Sequence, residues 1–250
     1  MAGDVDIARV AAVLADRGRA RMLLVLGDGR ALPASVLAAE AGVAASTASA
    51  HLGRLTDAGL LRVERHGRHR YFRLAGPGVA ELVEALARHA PPAPVRSLRE
   101  GTRAEALRAA RTCYDHLAGR LGVELMAALL DRGALVGGDG RFHPEAAAAD
   151  HLAAPGRDVD YRLTDAGAAL LAELGAGVAG NGRRPLVRYC VDWSEQRHHL
   201  AGAVGATLAR RLFELGWLRR ADRGRAVHVT PAGAEGLRRT FGIEAAARRP

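Results

Sequence analysis

Residues 44–74, AASTASAHLGRLTDAGLLRVERHGRHRYFRL, predict a helix that runs into a basic β-hairpin. Two faces can be distinguished in the helical part, because residues three or four positions apart share a face. The packing face carries Thr47, Ala48, His51, Leu52 and Leu55, and the other carries Ser46, Ser49, Ala50 and Arg54. Gly59 is suited to end the helix, and a turn around Gly67 joins strands predicted at 60–64 and 70–74. One face of this helix is thus free to contact a partner.

The hairpin carries an excess of positive charge. Its basic residues between 60 and 75 are Arg62, Arg65, His66, Arg68, His69, Arg70 and Arg73, and its single acid is Glu64. A flexible basic hairpin suits contact with phosphates, since each neutralised phosphate releases counterions and makes binding depend on salt. The simpler alternative is a solvated surface hairpin without a partner.

A second helix is predicted directly before the first. Pro33 is suited to its first turn, apolar residues fill its interior up to Ala41, and Gly42 ends it. A helix, a tight turn at 42–45 and a second helix form the helix-turn-helix layout, in which the second helix enters the major groove of DNA. Together with the basic hairpin, this layout predicts a DNA-binding protein.

The same stretch resembles the winged-helix repressors of the arsenic-repressor (ArsR/SmtB) family, whose usual string reads G-[LV]-S-x-S-T-V-S-x-H-L-x-x-L-x-x-A-G-L-[LV] followed by R-x-G-R-x-x-Y-x-L. The matching residues are Gly42, Val43, Ser46, Thr47, Ser49, His51, Leu52, Leu55, Ala58, Gly59, Leu60, Arg65, Gly67, Arg68, Tyr71 and Leu74. Two departures concern Ala44, where a capping serine is common, and Ala50 and Gly53, where long polar side chains are common. The resemblance covers about the first ninety residues.

The resemblance implies two kinds of DNA contact and a dimer. Candidates for base contact are Ser46, Thr47, Ser49, His51 and Arg54, and candidates for phosphate or minor-groove contact are Arg65, His66, Arg68 and Arg70. In the family, the first and last helices of this domain form the dimer interface. Here those helices would present Ile7, Val10, Ala11 and Leu14, and Val79, Leu82, Val83 and Leu86. A core within one domain would give the same pattern.

Length and composition predict a cytoplasmic protein of two domains. The chain has 250 residues, 49% of them hydrophobic, and a formal net charge of +9. It lacks an apolar run of membrane-spanning length and a secretion leader, and two cysteines cannot form a disulfide framework. The proline-rich stretch at 90–95 predicts a DNA-binding and dimerisation domain at 1–90, a linker at 91–97 and a C-terminal domain at 98–250.

The C-terminal half contains an internal repeat. His116–Leu125 aligns with His199–Leu208 at an offset of 83, and Tyr161–Gly167 aligns with Val227–Gly233 at an offset of 66. Each copy predicts a helix, a glycine stop, a hairpin and a Thr-capped helix, which is again a winged-helix order. We therefore expect two degenerate winged-helix-like units, at about 113–175 and 196–241. Six arginines of the second copy are candidates for contact with flanking phosphates or for pairing with acidic residues: Arg210, Arg211, Arg219, Arg220, Arg223 and Arg225.

Polar and reactive residues gather just before each copy of the repeated HLAG element, where longer members of the resembled family have similar strings. The candidates for ligand sensing are Arg111, Cys113, Tyr114, Asp115, His116, Cys190, Asp192, Trp193, His198 and His199. The residues leave four interpretations open: ordinary packing, an organic-ligand pocket, a metal site and a thiol redox switch. The pocket would have Trp193, Tyr114 and Tyr189 as walls, and the metal site would be formed by Cys113, His116, Cys190 and His199. The spacing suggests that Cys113 and His116 lie one helical turn apart. A nucleophile and a base on consecutive turns of one helix rarely face the same substrate. The spacing therefore disfavours a catalytic function.

The sequence as a whole predicts a mainly α fold with small β-hairpin wings. It predicts a dimeric DNA-binding transcriptional regulator of the repressor type that binds a double-stranded operator. The C-terminal module is expected to sense a small-molecule effector or to stabilise the dimer. Neither a cofactor nor a membrane partner is expected.

Overall fold

The computed structural model describes residues 5–67, 69–95, 97–143, 159–178 and 184–247. The chain divides into two units: residues 1–87 with 223–225, and residues 88–222 with 226–250. Within the described residues, helices and short antiparallel strand pairs alternate, in agreement with the predicted fold class. None of the helices described combines the length and the apolar character needed to cross a membrane.

The first unit contains five helices and one three-stranded sheet among its described residues. Its elements are α1 (Ile7–Leu14), α2 (Arg17–Leu26), β1 (Leu32–Pro33), α3 (Ala34–Ala41), α4 (Ala45–Asp57), β2 (Leu61–His66), β3 (His69–Leu74) and α5 (Pro77–His89). The sheet is antiparallel with the order β1-β3-β2.

Helices α3 and α4 form the predicted helix-turn-helix. Gly42 ends α3 in the left-handed conformation with φ of 70°, which glycine adopts without a steric penalty. Ala44 precedes α4 and supplies no side-chain cap, as expected from the missing serine. Leu52 and Leu55 of α4 and Leu37 of α3 are buried together with residues of α2, which fixes α4 on the domain with its opposite face outward.

The second unit is built from strand pairs that each precede a helix. Its elements are α6 (Leu98–Ala109), β4 (Arg111–Cys113), β5 (His116–Ala118), α7 (Gly119–Asp131), β6 (Leu135–Val136), β7 (Arg162–Leu163), α8 (Asp165–Glu173), β8 (Arg188–Val191), β9 (His198–Ala201), α9 (Gly202–Glu214), β10 (Leu218–Arg220), β11 (Val227–Val229) and α10 (Pro231–Phe241). Strands pair antiparallel as β4-β5, β6-β7, β8-β9 and β10-β11.

The order hairpin, helix, hairpin, helix occurs twice in this unit, once from β4 to α8 and once from β8 to α10. As predicted, threonines cap the last helix of each copy: Thr164 accepts a hydrogen bond from the Gly167 amide, and Thr230 accepts one from the Gly233 amide. The helices α7 and α9 share one apolar core, to which Met126, Leu129 and Leu212 contribute. Part of the first copy, at 144–158, lies outside the described residues.

One local prediction for this unit is wrong. Cys113 and His116 were expected one turn apart on a helix, but Cys113 ends β4 and His116 begins β5. Tyr114 and Asp115 form the two-residue turn between them, and Tyr114 adopts a positive φ of 58°. The helix begins only at Gly119, so the reactive residues lie on a hairpin before it.

Candidate functional sites

The outer face of α4 presents most of the side chains predicted to contact bases. Ser46, Ser49 and Arg54 are exposed, and Thr47, which the spacing places on the packing face, is exposed as well. His51, predicted as a DNA contact, is instead buried with 9% exposure, because it lies on the same face as Ala48, Leu52 and Leu55. The exposed face of α4 is therefore small, polar and carries one cation, Arg54.

His51 makes contacts inside the first unit. Its Nδ1 lies 3.4 Å from Nη1 of Arg19, and its Nε2 lies 3.4 Å from Oδ1 of Asp16. Gly18 lies so close that an added Cβ would sit 3.1 Å from His51 Nε2. The backbone amide of Arg19 donates to Asp16 and holds the pKa of that carboxyl below its usual value. We infer that His51 orients α4 against the start of α2.

The basic hairpin is formed by β2 and β3 in regular antiparallel register. Arg65 pairs across the strands with Arg70, and His66 pairs with His69. Arg65, His66 and Arg70 are exposed, whereas Arg68 lies outside the described residues. Repulsion between the adjacent arginines Arg65 and Arg70 is unfavourable within the hairpin, and an anionic partner would relieve it. Arg73 differs, since its Nη1 lies 2.7 Å from Oε1 of Glu64.

A second site lies in the second unit, at the two hairpins that precede α7 and α9. In the first hairpin Cys113 pairs in register with His116, and in the second Cys190 pairs with His199. The tip of the second hairpin is longer, because residues 192–197 connect its strands where Tyr114 and Asp115 suffice in the first. Each hairpin thus contributes one cysteine and one histidine, on neighbouring strands.

These four side chains converge. One donor atom from each of Cys113, His116, Cys190 and His199 can be chosen so that all lie within 4.8 Å of one another. The two imidazole rings lie 5.2 Å apart between centroids. Cys113, His116 and His199 are buried and Cys190 is half-buried. We call this set the Cys–His cluster.

A carboxylate supports each histidine of the cluster. Nδ1 of His116 lies 3.3 Å from Oδ1 of Asp115, and Nδ1 of His199 lies 3.3 Å from Oδ2 of Asp192. Both Nε2 atoms, and Nδ1 of His199 despite its closeness to Asp192, are buried without a hydrogen bond of normal geometry among the described residues. The two carboxylates occupy the same place in each hairpin, two residues after the cysteine.

Each carboxylate is paired with an arginine in turn. Asp192 lies 2.9 Å from Nη2 of Arg111, and both side chains are fully buried. Asp192 also accepts hydrogen bonds from the Gly119 amide at the start of α7 and from Ser194. Asp115 accepts from Arg184.

The surroundings of the cluster shift three pKa values. Burial acts to raise the pKa of each carboxyl, but hydrogen bonds and charges from the histidine and arginine outweigh it and lower the pKa of Asp115 and of Asp192. Burial acts to lower the pKa of His116, but Cys113 and Asp115 outweigh it and raise that pKa to about 9. The cluster thus favours positive charge beside the Cys113 sulfur.

Two glycines bring the hairpins together in a reciprocal way. The helix α7 packs against β9, and α9 packs against β5. A Cβ on Gly122 would lie 3.5 Å from Cβ of His199 and only 2.6 Å from the Leu117 carbonyl oxygen. A Cβ on Gly205 would lie 3.4 Å from Cβ of His116 and 2.5 Å from the Leu200 carbonyl oxygen. The two repeats therefore meet at the cluster through equivalent surfaces.

The aromatic residues predicted as walls of an organic pocket have other contacts. The Arg111 guanidinium lies over the Trp193 ring, with Cζ 4.3 Å from the ring centroid. Tyr189 stacks on His198 with centroids 4.1 Å apart, and His198 Nδ1 lies 2.8 Å from the hydroxyl of Tyr161. His198 is therefore part of an aromatic group beside the cluster. Tyr114 is half-buried at the turn of the first hairpin.

Comparison with known proteins links the two units to one protein type. Residues 14–64 match the model of a helix-turn-helix domain. The chain is 40% identical over 230 residues to YdfF of Bacillus subtilis, an uncharacterized HTH-type transcriptional regulator, and the match covers 91% of this chain and 93% of that protein. This chain belongs to the helix-turn-helix transcriptional regulators.

Two further matches each cover about a third of this regulator. The HTH-type transcriptional regulator Rv0324 of Mycobacterium tuberculosis is 40% identical over 78 residues, which are 31% of this chain and 34% of that protein. The homodimeric winged helix-turn-helix domain Mb0332 of Mycobacterium bovis, described as a possible ArsR-family regulator, has 34% identity and a TM-score of 0.30 over 34% of this chain and 86% of that chain. The predicted relation to helix-turn-helix transcriptional regulators is confirmed by the match to YdfF.

Sequence reasoning missed three residues that shape the buried site of this regulator. Arg184 reaches Asp115 across 69 positions of the chain, and Tyr161 reaches His198 across 37. Ser194 bridges Arg111 and Asp192. Arg111 and Asp192 do have a sequence signal, because the pattern Arg-x-Cys-x-Asp occurs at both 111–115 and 188–192. Arg184 and Tyr161 have none, because their partners are distant in the chain.

Proposed function

We propose that this regulator binds a double-stranded DNA operator as a homodimer and represses transcription. Its α4 helix enters the major groove, where Ser46, Thr47, Ser49 and Arg54 face the bases, and the hairpin of β2 and β3 contacts phosphate or the minor groove. The observation that carries this proposal is the exposed polar face of α4, followed in the chain by a hairpin that exposes Arg65 and Arg70. His51 acts by orienting α4.

Apolar side chains left uncovered on α1 and α5 support the homodimer. No residue of α1 is buried, although one face of the helix is apolar, and Ile7 is 73% exposed. On α5, Leu82 and Leu86 are also exposed. Contiguous exposed apolar residues mark interaction surfaces. A twofold dimer through α1 and α5 would present two α4 helices to half-sites about one helical turn apart.

The test is sequence-specific protection of DNA. Fragments of the source genome are selected on the purified chain, and the bound fragment is footprinted with the wild type and with Arg54→Gln. Arg162→Gln, an exposed arginine on β7, is the matched control. We expect a protected site with two half-sites and a loss of discrimination in Arg54→Gln alone. Uniform protection of every fragment, or equal discrimination by all three proteins, would contradict the proposal.

The second unit is proposed as a module that senses an effector or stabilises the dimer, in a cytoplasmic, non-enzymatic protein organised as 1–90, 91–97 and 98–250. Of the six arginines predicted near the C-terminus as candidates for phosphate contact, Arg211 and Arg225 have partners within the protein, whereas Arg219 and Arg223 are exposed. Arg225 is buried and pairs with Glu84, and Arg211 donates to the Leu174 carbonyl and to Glu214. Replacing Arg219 and Arg223 with Gln in the full chain tests their role, because the salt slope of operator binding becomes flatter only if they contact phosphate.

A further inference from the structure

We propose that Cys113, His116, Cys190 and His199 form a closed, four-ligand site for a divalent transition-metal ion of the zinc class, which joins the two hairpins of the second unit. The inference concerns the second unit alone and holds whether or not the regulator acts as a repressor. Its starting point is the convergence of two sulfur and two nitrogen donors within 4.8 Å.

The donor set fits such an ion. Thiolate and imidazole are the ligands that zinc takes in tetrahedral sites, at about 2.3 Å for sulfur and 2.0–2.1 Å for nitrogen. Four donors at these lengths around one centre lie roughly 3.3–3.8 Å apart. The cluster must therefore contract by about 1 Å, which rotations of the cysteine and histidine side chains can supply.

The histidines are prepared as ligands. Asp115 and Asp192 lie beside the two Nδ1 atoms, and each Nε2 is buried without a hydrogen-bond partner among the described residues. Metal-bound histidines commonly direct their second nitrogen to a carboxylate, which fixes the ring and raises its basicity. A buried nitrogen without a partner is costly, and a metal ion at Nε2 would remove that cost.

The charges balance when a divalent ion is bound. Two thiolates carry two negative charges, and one divalent cation cancels them. Arg111 pairs with Asp192 and Arg184 with Asp115, so the supporting carboxylates add no net charge. Binding requires two thiolates and two neutral imidazoles, so the protons that the two thiols and the His116 ring carry are released to solvent. With all four positions filled by protein, the site would be structural or sensory rather than catalytic.

The fold explains why the ligands come in equivalent pairs. Each hairpin brings one cysteine and one histidine on adjacent strands, and Gly122 and Gly205 let each helix approach the opposite histidine. An ion at this place would link the first hairpin to residues 74–86 positions further along the chain. Loading should therefore stabilise the second unit against unfolding.

The first experiment measures binding to the full chain purified under reducing conditions and treated with a chelator. Zn²⁺ is titrated in competition with a chromophoric chelator, and Co²⁺ is used as a spectroscopic probe. We expect one ion for each chain, with thiolate-to-cobalt charge transfer and the visible bands of tetrahedral geometry. The double variant Cys113→Ser and Cys190→Ser should lose both signals. The surface variant His89→Gln should keep them.

A second measurement uses the wild type alone, so it does not depend on whether the variants fold. The rate of alkylation of the two cysteines is compared with and without Zn²⁺, and we expect at least tenfold protection by the ion. Three results would overturn the proposal: no stoichiometric binding, unchanged binding in the double cysteine variant, or a disulfide between Cys113 and Cys190 that forms reversibly while the reduced protein takes no ion. The last result would assign the cluster to redox chemistry.

Discussion

Asp192 and His199 lie with Oδ2 and Nδ1 only 3.3 Å apart, and neither side chain is exposed to solvent. The same Asp192 oxygen accepts hydrogen bonds from Arg111 and from the amide that begins α7. Asp192 thus contacts His199 of its own hairpin. It also contacts Arg111 of the first hairpin and the start of α7, which follows that hairpin. The two copies of the repeat are joined by this buried polar group as well as by their apolar core.

Replacing Asp192 should be strongly destabilising. Asp192→Asn leaves the buried Arg111 without its counter-charge, and breaking a buried pair in this way costs about 3–5 kcal/mol. Denaturant unfolding followed by circular dichroism measures the loss. Asp139→Asn removes a carboxylate 2.8 Å from His143 in an exposed pair, and there the change should stay below about 1 kcal/mol. Equal stabilities of the two variants would show that Asp192 has no special role.

The close approach of helix and hairpin predicts an effect at Gly122 and Gly205. An alanine Cβ at either place would meet a backbone carbonyl oxygen at 2.6 or 2.5 Å, and overpacking of this kind costs about 1–3 kcal/mol. Gly53, which is exposed on α4 with no atom within 4 Å of an added Cβ, is the control. Gly53→Ala should raise stability by up to about 1 kcal/mol. The midpoint of thermal unfolding should fall in the Gly122 and Gly205 variants and rise in Gly53→Ala.

The arginines of the hairpin should set the salt dependence of DNA binding. Each phosphate contact contributes about 0.9 to the slope of log K against log salt concentration. The double variant Arg65→Gln and Arg70→Gln should therefore flatten the slope by about 1.8, while the preference among sequences is kept. Arg162→Gln should leave the slope unchanged. A lost preference with an unchanged slope would assign the hairpin to base recognition instead.

Charges placed on the exposed apolar faces of α1 and α5 should dissociate the proposed dimer. Ile7→Asp and Leu86→Asp introduce carboxylates where two apolar surfaces would meet, and we expect a shift toward monomer in sedimentation velocity. Leu98 is 93% exposed at the start of α6, and Leu98→Asp should leave the oligomeric state as it is. A wild type that is monomeric at every concentration would exclude this interface.

The sequence alone determined the N-terminal helix-turn-helix and its hairpin, because their signals are local. Gly42, Gly59 and Gly67 all adopt positive φ where the chain turns, and the spacing of Ala48, Leu52 and Leu55 marks the buried face of α4. The sequence also revealed the repeat and the residues of both polar strings. Threonine caps were predictable for the same reason, since a cap acts within three residues of its own position.

Only the tertiary structure decided what the polar strings do. Strands of three residues, such as β4 and β5, are too short to show a period, and the turn at Tyr114 contains no glycine to reveal it. The spacing of Cys113 and His116 therefore suggests a helix where the structure has a hairpin. His51 matches the family string yet is buried, because α2 packs against the face of α4 on which His51 lies. The Cys–His cluster joins residues far apart in the chain, and their convergence depends on how the two repeats pack.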